Sequence, residues 1–148
     1  MNSLDNDTLS FTRVITRHNQ ERITLMANVI NWFEIPAKNF DRACDFYGQV
    51  LAGDIQKMDS PSGLKMGFLP GTGSNSGGGA VVKGEGYEPS SKGSVLYLNG
   101  GEDLTVPLGK VEKAGGKVLM PKTSIGENGF IAHFLDTEGN RVALHSMK

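Results

Sequence analysis

The clearest hydrophobic pattern in the chain begins at Met26 and changes its period after about ten residues. The stretch "NVINWFEI" has the β-branched and aromatic content of a strand, and Pro36 is expected to end it. In "FDRACDFYGQVLAG" the apolar residues recur at spacings of three and four, which is typical of a helix with one buried face. Asn39 can cap the start of this helix and Gly53 its end. The pattern therefore predicts a strand followed at once by a helix.

The same order of elements occurs twice. Apolar stretches around Ile55, at "LKMGFL" and at "GAVV" predict three strands after the first helix. "GSVLYLN" then predicts a strand, and "EDLTVPLGKVEKAGG" a helix that Asp103 caps and that ends at Gly115 and Gly116, with Pro107 in the first turn. Three strands follow at "KVLMP", "GFIAHFL" and "RVALHS". We predict an α+β fold of two tandem βαβββ modules.

The modules span about residues 27–83 and 93–148, within one domain over residues 26–148. Residues 1–25 are polar and show no clear period, so we interpret them as an N-terminal extension. This extension is either a flexible segment, an arm that packs on a partner subunit, or a stretch that precedes an original start at Met26.

The charges of the chain exclude two classes of partner. Fifteen basic and sixteen acidic residues give a net charge of −1, and neither sign forms a block. A protein that binds nucleic acid or an anionic membrane usually carries a basic patch. No segment has the apolar length needed to cross a bilayer. We expect no nucleic-acid partner and no membrane association.

Cys44 is the one cysteine in the chain, so no internal disulfide can form. It falls in the apolar stripe of the first predicted helix, where a small core residue is the simplest interpretation. The lack of disulfides and of a signal peptide favours a reducing compartment, and we predict a cytoplasmic protein.

The order of elements, together with "WFEIPAKNFDRACDFY", "EKAGGKVLMPKT" and "FLDTEGNRVALHS", resembles the vicinal oxygen chelate superfamily of glyoxalases, bleomycin resistance proteins and extradiol dioxygenases. The resemblance covers about residues 27–148, and "DTEGN" followed by an alternating strand is its most specific part. It implies two βαβββ modules whose curved mixed sheets enclose a cavity, and it implies a homodimer.

Metal-dependent members of this superfamily bring four ligands, usually His, Gln or Glu. Carried onto this sequence, the resemblance places them at Trp32, at Gly79 or Ala80, at Val95 and at Ala143. None of these side chains can bind a divalent ion. We therefore expect no metal cofactor.

Strand alternation indicates which residues face the cavity that the resemblance implies. If Trp32 faces inward, Glu34 does too, while Phe33 and Ile35 pack under the helix. The same alternation places further polar residues inward in the second module. The predicted ligand-binding residues are Trp32, Glu34, Tyr97, Asn99 and His145.

Glu34 and His145 are the candidate acid and base, because a carboxylate and an imidazole facing one cavity can transfer a proton. The alternative is a hydrogen-bonded polar network with Tyr97 and Asn99 that has no catalytic role. His133 lies in "GFIAHFLD", where both strand faces are apolar, so its direction stays open. A metal site formed by Glu34, His133 and His145 is a further alternative.

The first functional hypothesis is a glyoxalase-like or bleomycin-resistance-like protein that binds a small organic molecule in a cavity without the usual metal ligands. A second is a metal-dependent lyase or isomerase resembling lactoylglutathione lyase. A third is a metal-free acid–base enzyme that uses Glu34 and His145. The sequence leaves open whether any reaction is catalysed.

Overall fold

The computed structural model describes residues 29–73 and 77–148, so the predicted extension over residues 1–25 lies outside the described part of the chain. The first module contains β1 (Trp32–Pro36), α1 (Phe40–Val50), β2 (Gln56–Asp59), β3 (Lys65–Phe68) and β4 (Gly78–Lys83). The second contains β5 (Leu96–Asn99), α2 (Thr105–Val111), β6 (Lys117–Ser124), a short 3-10 helix (Gly126–Asn128), β7 (Phe130–Leu135) and β8 (Arg141–Ser146).

Each module forms one four-stranded mixed sheet, with the orders β1-β4-β3-β2 and β5-β8-β7-β6. The first strand of each module pairs in parallel with the last, and the other pairs are antiparallel. The predicted α+β fold of two tandem βαβββ modules is confirmed, with both sheets open rather than closed into barrels. Among the described residues, no helix is long and apolar enough to cross a membrane.

The two ends of α1 follow the predicted capping, with one difference. The Asn39 side chain accepts a hydrogen bond from the Arg42 amide at 3.1 Å and so caps the start of the helix. At the other end Gly53 donates its amide hydrogen to the Gly48 carbonyl at 3.1 Å. The left-handed residue that this turn requires is Ala52, with φ of 51°, and not a glycine. The chain turns one residue earlier than the glycine indicated.

The second helix is shorter than predicted. It begins at Thr105 with Leu104 in the cap position, so Asp103 lies one residue before the cap. The Asp103 carboxylate still accepts a hydrogen bond from the Thr105 amide at 2.9 Å. The helix ends at Val111, and turns rather than helix lead to Gly115, whose φ is 99°. Proline is tolerated in this helix because Pro107 falls in the first turn, as predicted.

Both modules share one hydrophobic core between the sheets and the helices. Helix α1 contributes most of its buried face to this core, including Phe46 and Tyr47. The ring of Phe46 lies 5.9 Å from that of Phe134 on β7, so the first module's helix packs directly on the second module's sheet. Apolar packing therefore joins the two modules directly.

A polar cluster also joins the modules, and we call Asp136, Glu138 and Asn140 the module clasp. They occupy the β7–β8 turn within "DTEGN". The Glu138 side chain is fully buried. One of its oxygens accepts hydrogen bonds from the amides of Lys38 at 2.9 Å and Asn39 at 2.6 Å, and the other accepts from the Arg42 guanidinium at 2.8 Å. The carboxylate thus binds the start of α1 in the other module.

Asp136 and Asn140 complete the module clasp. Asp136 accepts hydrogen bonds from the Tyr47 hydroxyl at 2.7 Å and the Asn140 amide at 2.9 Å. Asn140 also donates to the Pro36 carbonyl at 2.8 Å and accepts from the Ser90 amide at 3.0 Å. One turn of the second module therefore holds β1, α1 and the loop between the modules.

Replacing Glu138 by glutamine should lower the free energy of unfolding by about 1–3 kcal/mol, because the charge-assisted hydrogen bonds weaken. Burial acts to raise the pKa of Glu138, but the hydrogen bonds from Arg42 and Asn39 outweigh it, and the net pKa lies below the ordinary 4.5. A lowered carboxyl pKa contributes stability above the unfolded value and loses it as pH falls through the folded value. Urea unfolding at neutral pH and at about pH 3 should therefore show the difference between wild type and Glu138→Gln shrinking in acid.

The matched control is Glu127→Gln, which removes an exposed carboxylate from the 3-10 helix. This variant should unfold like the wild type at both pH values. If Glu138→Gln were as stable as wild type at neutral pH, the module clasp would have no energetic role.

Candidate functional site

One face of each sheet packs on the helices, and we call the opposite face the open face. A Cβ atom at Gly67 would lie 2.7 Å from the Cys44 sulfur of α1, so Gly67 points toward the helix. Met66 and Phe68 therefore point away from it. Strand register then places Ala80 beside both Phe68 and Glu34, on the open face of the first sheet.

Trp32 and Glu34 are in direct contact on this open face. The Trp32 indole N–H donates a hydrogen bond to the Glu34 carboxylate at 3.2 Å. The indole also packs edge-on against Phe68, with ring centroids 5.9 Å apart. Trp32 remains 39% exposed, so part of its ring is free to contact another molecule.

Tyr87, in the loop between β4 and β5, holds the second oxygen of Glu34. Its hydroxyl donates to this oxygen at 2.5 Å, and this hydrogen bond raises the pKa of Tyr87. The Glu34 carboxylate is therefore fixed by a donor on each oxygen. This orientation depends on a loop residue far away in the sequence.

The open face of the second sheet carries Tyr97, Ala143 and His133 in one row across three strands. The Tyr97 hydroxyl lies 2.9 Å from His133 Nε2, and the two rings meet edge-on with centroids 5.4 Å apart. His133 is buried, whereas Tyr97 is 50% exposed. The direction of His133, which the alternation left open, is therefore toward the open face.

Arg141 determines which nitrogen of His133 carries the hydrogen. Its Nε donates to His133 Nδ1 at 3.1 Å, and a guanidinium can only donate. Nδ1 is therefore the acceptor, and in the neutral ring Nε2–H donates to the Tyr97 oxygen. Burial, and then the positive charge of Arg141, lower the pKa of His133, which keeps the ring neutral.

Asn99 and His145 also lie on the second sheet, but each forms a hydrogen bond with a nearby backbone group. The Asn99 side chain accepts a hydrogen bond from the Gly101 amide at 2.9 Å, in the turn after β5. His145 Nε2 donates to the Asn128 carbonyl at 2.7 Å. Among the described residues, no hydrogen bond or ion pair joins His145 to Glu34.

The residues present do not fit a divalent metal at the positions that the resemblance implies. Trp32 pairs with Gly78, and Ala143 pairs with Tyr97. Ala80 lies on the open face, whereas Gly79 points toward Phe33 in the core. Of the two alternatives for that position, Ala80 is therefore the one that faces the candidate site. Val95 directly precedes β5. An indole and aliphatic side chains offer no lone pair to a metal ion.

No other metal site forms from the acidic and histidine residues that the structure describes. Within residues 29–73 and 77–148, no group of three His, Cys, Asp or Glu side chains is arranged to hold an ion. Glu34, His133 and His145 bind different partners instead.

Cys44 is buried in α1 next to Gly67. Burial raises the pKa of its thiol to about 11, so at neutral pH it carries no thiolate. The residue packs in the core, as the sequence indicated.

A crevice of about 250 Å³ lies between β1 of the first sheet and the β5–β8 edge of the second. Its walls combine charged groups from both modules with apolar side chains. They include Glu34 and Ile35 from β1, Leu96 from β5, Arg141 and Val142 from β8, and Ser90 from the connecting loop. Glu34 and Arg141, one from each module, therefore line the same small cavity.

A comparison with known protein families identifies the superfamily of the chain. The model of the Glyoxalase/Bleomycin resistance protein/Dioxygenase superfamily matches residues 29–144. The chain belongs to this superfamily. The resemblance drawn from the sequence motifs is thereby confirmed, and no curated protein matches the chain in sequence.

Solved structures of the superfamily share the fold. A glyoxalase I mutant from Zea mays is 22% identical with a TM-score of 0.63, over 79% of this chain and 46% of that one. A glyoxalase/bleomycin resistance protein from Albidiferax ferrireducens has a TM-score of 0.64 at 13% identity, over 79% and 97% of the two chains. One from a Streptomyces species is 22% identical with a TM-score of 0.60, over 79% and 100%. The chain spans about half the length of the maize protein.

Three residues of the open face and the crevice escaped the sequence analysis. Phe68 follows a glycine in a short strand, and only the strand pairing brings it to Trp32. Tyr87 lies in a loop, which has no period to indicate its direction. Arg141 could have been found, because it precedes Ala143 by two residues in the same strand.

Proposed function

We propose that the chain binds a small organic molecule on the open face, beside Trp32, Glu34 and Tyr97, without a metal ion at the superfamily's ligand positions. The observation that carries this proposal is the half-exposed indole of Trp32, fixed by Glu34 and Phe68 where metal-dependent members have a ligand. Asn99 and His145 lie on the second sheet and would line the same site.

The arrangement favours a planar or amphipathic ligand. An aromatic ring on a fixed Trp supplies a large contact area at little cost in conformational entropy. Glu34 adds a charge whose orientation Tyr87 and Trp32 hold in advance. Groups held in this way lose little freedom when a ligand binds.

The two enzymatic alternatives have less support. A lyase mechanism of the glyoxalase type needs a metal to polarise a carbonyl, and the donor set on the open face does not fit one. Acid–base catalysis by Glu34 and His145 needs both groups at one substrate. Glu34, on the first sheet, accepts hydrogen bonds from Trp32 and Tyr87. His145, on the second sheet, donates to the Asn128 carbonyl.

Benzamide, a neutral planar probe, should bind saturably in the millimolar range and shift the indole N–H signal of Trp32 in an NMR spectrum. Trp32 is the chain's one tryptophan, so this signal is unambiguous. Ligand-observed NMR should show that Trp32→Leu weakens benzamide binding roughly three- to tenfold, because the aromatic contact is lost. Glu34→Gln should change the affinity only by a few fold.

Val106→Ala is the matched control, since it removes an exposed apolar side chain from α2, away from the open face. It should leave benzamide binding unchanged. Binding without a shift of the Trp32 signal, or no binding at all, would contradict the proposed site.

We also propose that a second copy of the chain covers the open face. Trp32, Met58 and Tyr97 leave 39%, 46% and 50% of their surfaces exposed on the open faces of the two sheets, and aromatic and methionine side chains are enriched at interfaces between proteins. A C2 homodimer buries such a face against its own copy.

Sedimentation equilibrium should then give a mass near twice the 15.9 kDa of one chain. Met58→Asp should shift the equilibrium toward monomer, because it places a charge in the interface. Val106→Asp, at an exposed position on α2, should not. A wild-type mass of one chain at micromolar concentration would refute the dimer.

A further inference from the structure

We propose that Tyr97, His133 and Arg141 form a carboxylate-binding subsite, so that the ligand of the open face carries a carboxylate group. This inference rests on the proposed function and names the chemical class of its ligand. Superfamily membership does not require it, because the subsite consists of side chains outside the usual metal positions.

The hydrogen bonds of His133 run in one direction, from Arg141 through the ring to Tyr97. Arg141 donates to Nδ1, so Nε2–H donates to the Tyr97 oxygen. A hydroxyl that accepts this bond keeps its own hydrogen for another acceptor. The Tyr97 hydroxyl therefore presents a hydrogen-bond donor on a side chain that is 50% exposed.

Arg141 keeps its positive charge, and His133 uses only one of its hydrogen-bond donors. A guanidinium has five N–H donors and stays protonated, and the bond to His133 uses only Nε. In the described part of the chain no carboxylate forms an ion pair with Arg141. Its terminal nitrogens can therefore bind a carboxylate in the two-point geometry that arginine favours.

Arg141 is placed where a ligand of both sheets could reach it. Arg141 lines the crevice between the sheets and also contacts His133 on the open face. Across the crevice, the Glu34 carboxylate already accepts hydrogen bonds from Trp32 and Tyr87, which reduces its repulsion toward a second anion. Glu88, the other acid in the crevice, lies 3.8 Å from the Lys38 ammonium group. Arg141 is thus the cationic group among the residues that line the crevice.

Benzoate and benzamide test this inference, because they have nearly the same shape and differ in charge. Benzoate should bind about tenfold more tightly than benzamide at low salt, as measured by ligand-observed NMR. Arg141→Gln and Tyr97→Phe should each remove most of this preference, measured as the ratio of the benzoate and benzamide affinities of the same variant. Added salt should reduce the preference in the wild type.

His133 is a positioning residue in this account, since it acts through Tyr97 and Arg141. His133→Gln should lower benzoate affinity several-fold and spare benzamide, whereas a merely structural defect would weaken both probes. Arg141→Lys keeps the charge but not the planar guanidinium, so it should recover only part of the preference. Lys113→Gln, which removes an exposed cation after α2, should keep the full preference.

Equal affinity for the two probes, or a preference that survives Arg141→Gln, would overturn the carboxylate subsite while leaving the proposed function intact. If neither probe bound the wild type, the proposed function would fail, and this inference with it.

Discussion

The buried carboxylate of Glu138 is the contact on which the arrangement of the two modules depends. It binds two backbone amides and a guanidinium at the start of α1, where the positive end of the helix dipole also favours an anion. Without it, the two amides and the guanidinium would lose their partner in the second module. The crevice lies between β1 and β8, which are among the elements that this turn connects.

Strand alternation predicted the sheet face on which the candidate residues lie, because the two-residue period is local. It placed Trp32, Glu34 and Tyr97 on one face of their strands and the apolar neighbours of these residues on the opposite face. The strand pairing agrees with that division. It could not orient His133, since both faces of that strand are apolar. Tyr87 could not be predicted for a different reason: it lies in a loop 53 positions after Glu34, and only the tertiary fold brings the two together.

Of the two predicted caps of α1, the first was confirmed and the second was wrong by one residue. Asparagine at position 39 caps its helix through a bond to a residue three positions away, which the sequence can indicate. The end of α1 is decided by where the chain must turn toward β2, and Ala52 accepts a left-handed conformation there although a glycine follows it. Tertiary requirements overrode the local preference.

We propose that this superfamily member binds its ligand through side chains and not through a metal ion. An indole, a fixed carboxylate and a chain of phenol, imidazole and guanidinium occupy the open face. Elemental analysis by mass spectrometry, after dialysis of tag-free protein against metal-supplemented buffer, tests this claim most directly. The account predicts a metal content near zero per chain for nickel, zinc, iron, manganese and cobalt. A value near one per chain for any of them would contradict it.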